Sequence, residues 1–138
     1  MILKESEIDK DAIKAVLGKI YKEPGKWFTV SGSCYYFIKE LTDLDGNEVL
    51  KWEDSKGIFQ RHDDGIALYV NRSNYQRVLL MPFETIKSLK LDLMKSELQQ
   101  ETVLEFSTNF YKGKFVANYS DYQSQLKYFK KMGLLADS

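Results

Sequence analysis

The chain has 138 residues, of which 43% are apolar and 14% aromatic, and its 20 basic residues balance 20 acidic ones. This length suits one domain that buries about two-thirds of its unfolded surface, so folding requires neither disulfides nor a structural metal. The formal net charge of +0 excludes a global field that would attract nucleic acid or an anionic membrane, although it leaves local charged patches open.

Cys34 is the only cysteine, which excludes an internal disulfide and a metal site built from cysteines alone. A single thiol suits a reducing compartment, so we expect a cytoplasmic protein. The N-terminal stretch MILKESEIDKD is charged from Lys4 and has no apolar core, unlike a signal peptide. No apolar run approaches the ~20 residues of a membrane span, and no membrane partner is expected.

The first predicted element is an amphipathic helix in SEIDKDAIKAVLGKIYKEPG, residues 6–25. Ser6 is its predicted N-cap, with Asp9 as the partner in a capping box. Pro24 and Gly25 are predicted to end it. One stripe at three- and four-residue spacing contains Ile8, Ala12, Ile13, Val16, Leu17 and Ile20.

Between Trp27 and Tyr119 the apolar residues alternate with a period of two, which is typical of strands with one buried face. Turn-forming segments such as TDLDGN, DSKG, DDG and NRSNYQ separate the runs and favour an antiparallel meander. A bend or bulge joins the first two runs, so the runs make seven or eight predicted strands. They are KWFTV with SCYYFIKEL, EVLKWE, IFQRH, IALYV, RVLLMPF, TIKSLKLDL, TVLEFST and KFVANY.

The last predicted element is a helix in SDYQSQLKYFKKMG. Ser120 and Gln123 form its predicted capping box. Gly133 is predicted to adopt the left-handed conformation after the helix, and Leu134 to pack back on the last turn. The apolar face of this helix contains Tyr122, Leu126, Phe129 and Met132.

These elements predict a single α+β domain over residues 1–138. It consists of one antiparallel, strongly bent sheet or small barrel of about seven strands. A helix precedes the sheet, and a second helix caps it at the C-terminus. No internal repeat, linker or low-complexity segment divides the chain.

The segment GIALYVNRSNYQRVLLMPFETIKSLKLD, within a meander followed by one helix, resembles the core of GRAM-type members of the pleckstrin-homology-like superfold. The resemblance covers roughly residues 34–132 and implies a bent sheet capped by the last helix. Lipid-binding members carry lysine and arginine at the first hairpin loop, where this chain has the acidic TDLDGN. Phosphoinositide binding is therefore not expected, and the helix before the sheet is an addition to the pattern.

The stretch QRHDDGIALYV contains the only histidine, His62, followed by two aspartates. A single histidine supplies at most one imidazole ligand to a metal. Asp64 and Gly65 between two apolar runs predict a hairpin in which Gly65 has positive φ. We therefore expect a turn with His62 solvated at a strand end.

No catalytic residue, metal ligand or cofactor is predicted. TDLDGN lacks the calcium-loop pattern, since Gly46 directly follows Asp45 and Trp52 stands where the glutamate would be. Cys34 lies inside a predicted strand and is expected to be a small buried residue rather than a nucleophile.

The predicted function is non-catalytic recognition of a partner protein, as in an adaptor, an inhibitor or an immunity-type antagonist. Tyr75, Phe110 and Tyr111 lie in predicted loops or strand ends beside polar and basic residues and are the predicted partner-binding residues. The sequence leaves the oligomeric state and the identity of the partner open.

Two alternatives remain open. The first is an enzyme or small-ligand-binding protein whose site lies inside the barrel, lined by Tyr35, Tyr36, Trp52 and Tyr69. The second is nucleic-acid binding through the last helix, disfavoured by the balanced charge. In that case a base would stack on Tyr128, and the phosphates would contact Lys127, Lys130 and Lys131.

Overall fold

The computed structural model of the chain describes residues 1–26, 31–50, 53–95 and 100–135. Within these ranges it has the predicted α+β composition, with one eight-stranded antiparallel sheet and two α-helices. The strands are β1 (Ile2–Lys4), β2 (Gly32–Asp43), β3 (Lys56–Arg61), β4 (Gly65–Arg72), β5 (Tyr75–Pro82), β6 (Ile86–Lys95), β7 (Gln100–Thr108) and β8 (Tyr111–Asn118). The helices are α1 (Lys10–Leu17) and α2 (Tyr122–Lys131).

The sheet is strongly curved, as its connections require. In the strand order β1-β5-β4-β3-β2-β8-β7-β6, β5 stands second and β6 stands eighth. Six strand spacings of a flat sheet would separate them by about 29 Å. The connection through Phe83–Thr85 reaches no further than about 14 Å. The sheet bends until these strands approach each other, but it stays open and is not closed into the small barrel that the sequence allowed.

An aromatic cluster fills the inner face of the bent sheet. The Phe59 ring centroid lies 5.4 Å from that of Phe115, 5.7 Å from Tyr36 and 5.9 Å from Phe129. Phe129 belongs to α2 and is completely buried, which confirms that the C-terminal helix caps the sheet. Edge-to-face rings at these separations interact favourably beyond their simple burial.

The outer face carries a second, smaller apolar cluster beneath α1. Ile13 and Leu17 of the helix pack on Ala67 of β4 and on Val78 and Leu80 of β5. Successive strand residues point to opposite faces, so β4 and β5 contribute to both clusters.

The N-terminal helix is shorter than predicted, since it spans only Lys10–Leu17. Asp9 is its N-cap, and the Asp9 carboxylate accepts a bond of 3.3 Å from the backbone N–H two residues later. Ser6 instead lies in a preceding 3₁₀ turn. Gly18 ends the helix with a φ of +77°, so Pro24 and Gly25 lie beyond it. A left-handed glycine stops the helix whatever apolar period continues after it.

One strand was not predicted, and two predicted strands differ from the structure or fall outside it. β1 was not predicted, and its short run Ile2–Lys4 pairs with β5. The predicted return strand EVLKWE is reduced to an isolated bridge between Thr42 and Glu48, and residues 51–52 lie outside the described residues. Residues 27–30 of the predicted strand KWFTV lie outside them as well.

The C-terminal helix has the predicted end but a different start. Ser120 lies in the 3₁₀ turn Tyr119–Asp121, and Asp121 is an N-cap whose side chain makes no capping bond, so the predicted capping box does not form. Gly133 has a φ of +71°, as predicted, and Leu134 packs against the inner core. No helix in the described ranges is long and apolar enough to span a membrane.

Candidate functional site

His62 is buried, with only 4% of its surface exposed, so the prediction of a solvated histidine is wrong. Its Nδ1 lies 2.9 Å from the carbonyl oxygen of Gly18. A carbonyl only accepts hydrogen bonds, so Nδ1 is the donor. Nε2 has no hydrogen-bond partner among the described residues. The ring therefore binds the end of α1, and no described polar group pairs with its second nitrogen.

The two aspartates after His62 also bind the end of α1 through their backbone. The N–H of Asp64 donates to the carbonyl oxygen of Leu17 and that of Asp63 to the carbonyl oxygen of Lys19, both at 2.8 Å. The last carbonyls of a helix lack partners within the helix. The turn between β3 and β4 supplies those partners, so the predicted hairpin is confirmed and its role is structural.

Gly65 is required by close packing and not by its backbone conformation. It is absent from the described glycines with positive φ, so the predicted left-handed geometry is wrong. A Cβ atom at this position would lie 2.5 Å from the Met81 carbonyl oxygen and 2.7 Å from Leu17 Cδ2. These distances leave no room for any side chain beneath α1.

The acidic TDLDGN segment is a turn stabilised by its first carboxylate. Asp43 accepts bonds from the backbone N–H groups of Asp45 at 2.9 Å and Asn47 at 3.0 Å. These bonds, that of Asn47 most strongly, lower the pKa of the Asp43 carboxyl. Among the described residues, no group of three or more histidine, cysteine, aspartate or glutamate side chains could hold a metal ion.

Cys34 lies in a structural hydrogen-bond cluster between β2 and α2. Its backbone N–H donates to Gln125 Oε1 at 3.4 Å, and the Tyr36 hydroxyl donates to the same oxygen at 2.8 Å. Burial raises the pKa of the Cys34 thiol to about 11, and the Asp121 carboxylate adds to this effect. A nucleophilic cysteine requires the opposite shift, because the thiolate is the reactive form.

The residues proposed to line an interior site do not meet around one cavity. Tyr36 is fully buried in the inner core, whereas Tyr35 points outward and is 64% exposed. Tyr69 packs beside the cluster under α1 on the opposite face, and Trp52 lies outside the described residues. Tyr35 and Tyr36 are separated because neighbouring side chains of a strand point to opposite faces of the sheet.

Tyr75 is half-buried at the start of β5 rather than exposed in a loop, since the polar segment NRSNYQ is a tight hairpin. The Arg77 guanidinium carbon lies 4.1 Å from the Tyr75 ring centroid. Arg77 also donates to the Glu5 carboxylate at 2.6 Å. The Tyr75 ring is thus covered by an arginine that is itself held in place.

Phe110 lies in the turn between β7 and β8, and Tyr111 is the first residue of β8. Thr108 Oγ1 accepts bonds from the backbone N–H groups of Phe110 at 3.1 Å and Tyr111 at 2.9 Å, which fixes the turn. The two ring centroids are 6.1 Å apart. Phe110 is 58% exposed, whereas Tyr111 is half-buried against the inner core, and this burial raises its pKa.

An apolar cleft of about 140 Å³ opens beside the Phe110 ring, and we call it the Phe110 cleft. It brings together the chain start, α1, β5 and the β7–β8 turn. Its walls are Met1, Val16, Leu80, Met81, Phe110 and Tyr111, completed by Pro82, Thr85 and Thr108. These residues are far apart in sequence, so no local pattern predicted the cleft.

Among the described residues, none that line the Phe110 cleft carries a charged side chain. Its two threonine hydroxyls are engaged, since Thr85 Oγ1 donates to the Pro82 carbonyl oxygen at 2.7 Å and Thr108 Oγ1 holds the turn. Met1 stands at the rim and is 62% exposed. The cleft is therefore an apolar recess open to solvent.

A second aromatic surface lies on the outer face of β2 and consists of Tyr35 and the 54% exposed Phe37. The Lys56 ammonium group lies 5.8 Å from the Phe37 ring centroid. A wider cleft of about 480 Å³ beside these rings also contains Lys56 and Asp121. This β2 aromatic surface is thus bordered by charges of both signs.

The three lysines of α2 are exposed as predicted, and Lys127, Lys130 and Lys131 surround a shallow depression. Tyr128, in contrast, is buried, and its hydroxyl donates to the Ser31 carbonyl oxygen at 2.6 Å. It cannot serve as the stacking platform that the nucleic-acid alternative requires.

No family model matches the chain, and neither a curated protein nor a solved structure shows significant similarity to it.

Proposed function

We propose that this protein is a non-catalytic module that recognises a partner protein through the Phe110 cleft. The observation that carries the proposal is an exposed phenylalanine, fixed in a short turn beside an apolar cleft whose described lining residues are all uncharged. This site includes Phe110 and Tyr111 of the sequence prediction but not Tyr75.

The composition of the cleft supports recognition of a protein. The buried centres of protein interfaces are depleted in charged residues and enriched in aromatic residues and methionine. Met1, Met81, Phe110 and Tyr111 supply both classes at the cleft. Because Thr108 already fixes the backbone of the turn, binding would lose little conformational entropy there.

The polar residues elsewhere support a non-catalytic role. The Nδ1–H of His62 and the backbone N–H groups of Asp63 and Asp64 bind carbonyl oxygens at the end of α1, and burial raises the pKa of the Cys34 thiol. The aromatic rings around Phe59 occupy the inner face, where a ligand would have to bind in the first alternative.

The proposal includes a pleckstrin-homology-like architecture and a cytoplasmic location. The meander β2–β8 followed by a capping α2 has the element order of that superfold, with β1 and α1 as additions. A single cysteine and a protonated thiol suit a reducing compartment.

Nucleic-acid binding has weaker support. Three exposed lysines on α2 could contact phosphates, but the buried Tyr128 cannot stack on a base. A salt-dependent mobility shift with a short labelled oligonucleotide, lost on reversing the three lysine charges, would favour this function instead.

The decisive experiment compares two exposed phenylalanines. Phe110→Ser removes the ring at the cleft, and Phe37→Ser removes a ring of similar exposure on the β2 aromatic surface. Affinity capture from the native host's lysate, read by mass spectrometry, should recover the same partner with wild type and Phe37→Ser. Phe110→Ser should lower its recovery by at least about tenfold, as expected for an aromatic anchor.

The opposite pattern would refute the proposed surface. If the partner is still captured by the Phe110→Ser variant but not by the Phe37→Ser variant, the recognition surface lies on β2. Both variants must melt cooperatively near the wild-type midpoint, which both exposed positions should permit.

A further inference from the structure

We infer that two copies of this chain pair through the edge of β6 that faces away from β7, and that the C-terminal residues compete for this edge. We call it the β6 edge. No described residue of β6 lines the Phe110 cleft, so this dimerisation goes beyond the proposed function. Three observations lead to it, namely the place of β6 in the sheet, the order of its side chains and the contact with Leu135.

The strand β6 ends the sheet. It stands last in the strand order, and among the described residues β7 is its one neighbouring strand. It is ten residues long and pairs with β7 from Ile86 to Lys95. In an antiparallel pair, every second residue of an edge strand directs its backbone N–H and C=O groups away from its neighbour. The β6 edge therefore presents a row of backbone groups that can bind another strand.

The middle of β6 reads Leu-Lys-Leu-Asp-Leu over residues 89–93, and this order is complementary to itself. Two identical strands related by a two-fold axis at the sheet edge run antiparallel. An axis at Leu91 places Lys90 of each copy opposite Asp92 of the other. The same axis places Leu89 opposite Leu93. Opposite charges and apolar side chains that lie directly across an antiparallel pair stabilise it.

The side-chain order also excludes the neighbouring registers. An axis at Asp92 would bring the two Asp92 carboxylates together, and an axis at Lys90 would bring the two ammonium groups together. Like charges directly opposite each other destabilise a strand pair. Moving the axis to Leu89 or Leu93 shortens the stretch over which the two strands overlap. The register centred on Leu91 is therefore the favoured one.

The two faces of β6 suit this pairing. Lys90 Nζ lies 3.5 Å from a carboxylate oxygen of Asp92, and these side chains are 59% and 43% exposed. Both can therefore reach the opposite charge on a second copy. On the inner face Leu89 and Leu91 are buried, whereas Leu93 is only partly buried. Pairing would continue the row of leucines into the second copy and cover Leu93.

The chain already places one of its own residues on the β6 edge. Leu135 forms an isolated parallel bridge with Leu89, so this edge accepts backbone from a segment other than β7. In the two-fold register the place beside Leu89 belongs to Leu93 of the second copy. The two arrangements exclude each other. A competing contact lowers the fraction of chains that can dimerise and thus weakens the dimer of the full chain.

Analytical ultracentrifugation of the full chain and of a chain that ends at Gly133 tests this competition. The shortened chain should dimerise at least about tenfold more tightly, because the bridge from Leu135 is gone. Leu134 and Leu135 also pack against the inner core, so the shortened chain must first be shown to melt cooperatively. A shortened chain that remains monomeric at millimolar concentration would overturn the inference.

Charge exchange on β6 tests the register. In the shortened chain Lys90→Asp places acidic groups opposite each other and should weaken the dimer about tenfold, since two such pairs form. Lys90→Asp combined with Asp92→Lys exchanges the charges and should restore it. Lys56→Asp makes the same change on β3, four strands away, and should have no effect. A double variant that dimerises as weakly as Lys90→Asp would contradict the proposed register.

Amide hydrogen exchange of the full chain gives a second reading that needs no truncation. Backbone amides of residues 88–94 that face away from β7 should become more protected as the protein concentration rises. Those of β1, at the other end of the strand order, should not change. Protection of β6 that is independent of concentration would overturn the inference even if the shortened chain fails to fold.

The Phe110→Ser variant separates this dimer from the proposed function. It should leave the dimerisation constant unchanged while it lowers capture of the partner. Loss of the dimer with Phe110→Ser would place the contact between copies at the Phe110 cleft and would overturn pairing through β6. A monomeric protein that still loses its partner with Phe110→Ser would overturn the dimer alone and leave the proposed function standing.

Discussion

The imidazole of His62 forms the side-chain link between the β3–β4 turn and the end of α1. Its Nδ1–H binds the Gly18 carbonyl in a site with 4% solvent exposure. His62→Ala should lower the free energy of unfolding by about 1–3 kcal/mol, because it removes this bond and leaves a cavity. Urea denaturation of the purified variant measures the change.

The conservative control for this prediction is His62→Asn. The Asn side-chain nitrogen lies close to the position of Nδ1 and can donate to the same carbonyl, whereas the lost Nε2 has no partner among the described residues. His62→Asn should therefore recover part of the stability. A His62→Ala midpoint equal to that of wild type would show that the bond to Gly18 contributes nothing.

Substitution of Gly65 tests whether close packing requires a glycine at this position. Gly65→Ala places a Cβ 2.5 Å from the Met81 carbonyl oxygen, so β4 or β5 must shift. Overpacking of this kind typically costs about 1–3 kcal/mol. At Gly32 the nearest atom to such a Cβ is the Phe59 carbonyl oxygen at 3.8 Å, which is an ordinary contact.

The comparison of the two alanine variants isolates the steric effect. Gly32→Ala should keep the wild-type urea midpoint or raise it slightly, because alanine restricts the unfolded chain. Gly65→Ala should lower it. Equal midpoints for both variants would contradict the close approach of Gly65 to Met81 and Leu17.

At the scale of elements, α2 depends on the sheet for its stability. It spans only Tyr122–Lys131, and isolated helices of this length are marginal in water. Phe129 is completely buried against Phe59 at a centroid distance of 5.9 Å. Phe129→Ala should therefore cost about 3–5 kcal/mol, and truncation after Tyr119 should leave an aggregating or partly unfolded chain.

Charge reversal of Lys127, Lys130 and Lys131 is the control on the opposite side of α2. These side chains are exposed, so the triple variant should keep the fold, with a small loss because basic residues at a helix end favour its dipole. Thermal melts followed by circular dichroism distinguish the variants. A truncated chain that still melts sharply near the full-length midpoint would refute the capping role of α2.

For the whole molecule, we predict one cooperative unit over residues 1–138. The outer cluster under α1 and the inner aromatic cluster share β4 and β5, since Ala67 and Val78 face one cluster while Leu68 and Leu79 face the other. Loss of either cluster should destabilise the strands that support both.

Leu17→Ala tests this prediction because Leu17 is fully buried on the inner side of α1. The variant should shift the whole unfolding transition by about 2–5 kcal/mol, with coincident far- and near-ultraviolet circular dichroism curves. Lys14→Ala, at an exposed position of the same helix, should leave the transition in place. Two separated transitions for Leu17→Ala would show that α1 and the sheet unfold independently.

The amino-acid sequence by itself determined the features that depend on near neighbours. The alternating runs correspond to seven of the eight strands, and Asp64 with Gly65 marked the β3–β4 turn correctly. The apolar stripe of α2 identified Phe129 as a core residue. The glycine at position 133 separately marked the end of the helix. These features follow from periods and turn preferences that act over a few residues.

Tertiary structure alone decided which donors bind the carbonyls at the end of α1, the burial of His62 and the existence of the Phe110 cleft. The β3–β4 turn contacts the end of α1 through residues that are far apart in sequence, since His62 and Gly18 are separated by 44 positions. The cleft joins Met1 to Tyr111. A local pattern records which side chains are apolar and how often they recur. It does not record which distant backbone carbonyl lacks a donor or where two curved edges of a sheet leave a gap, because those depend on the packing of the whole chain.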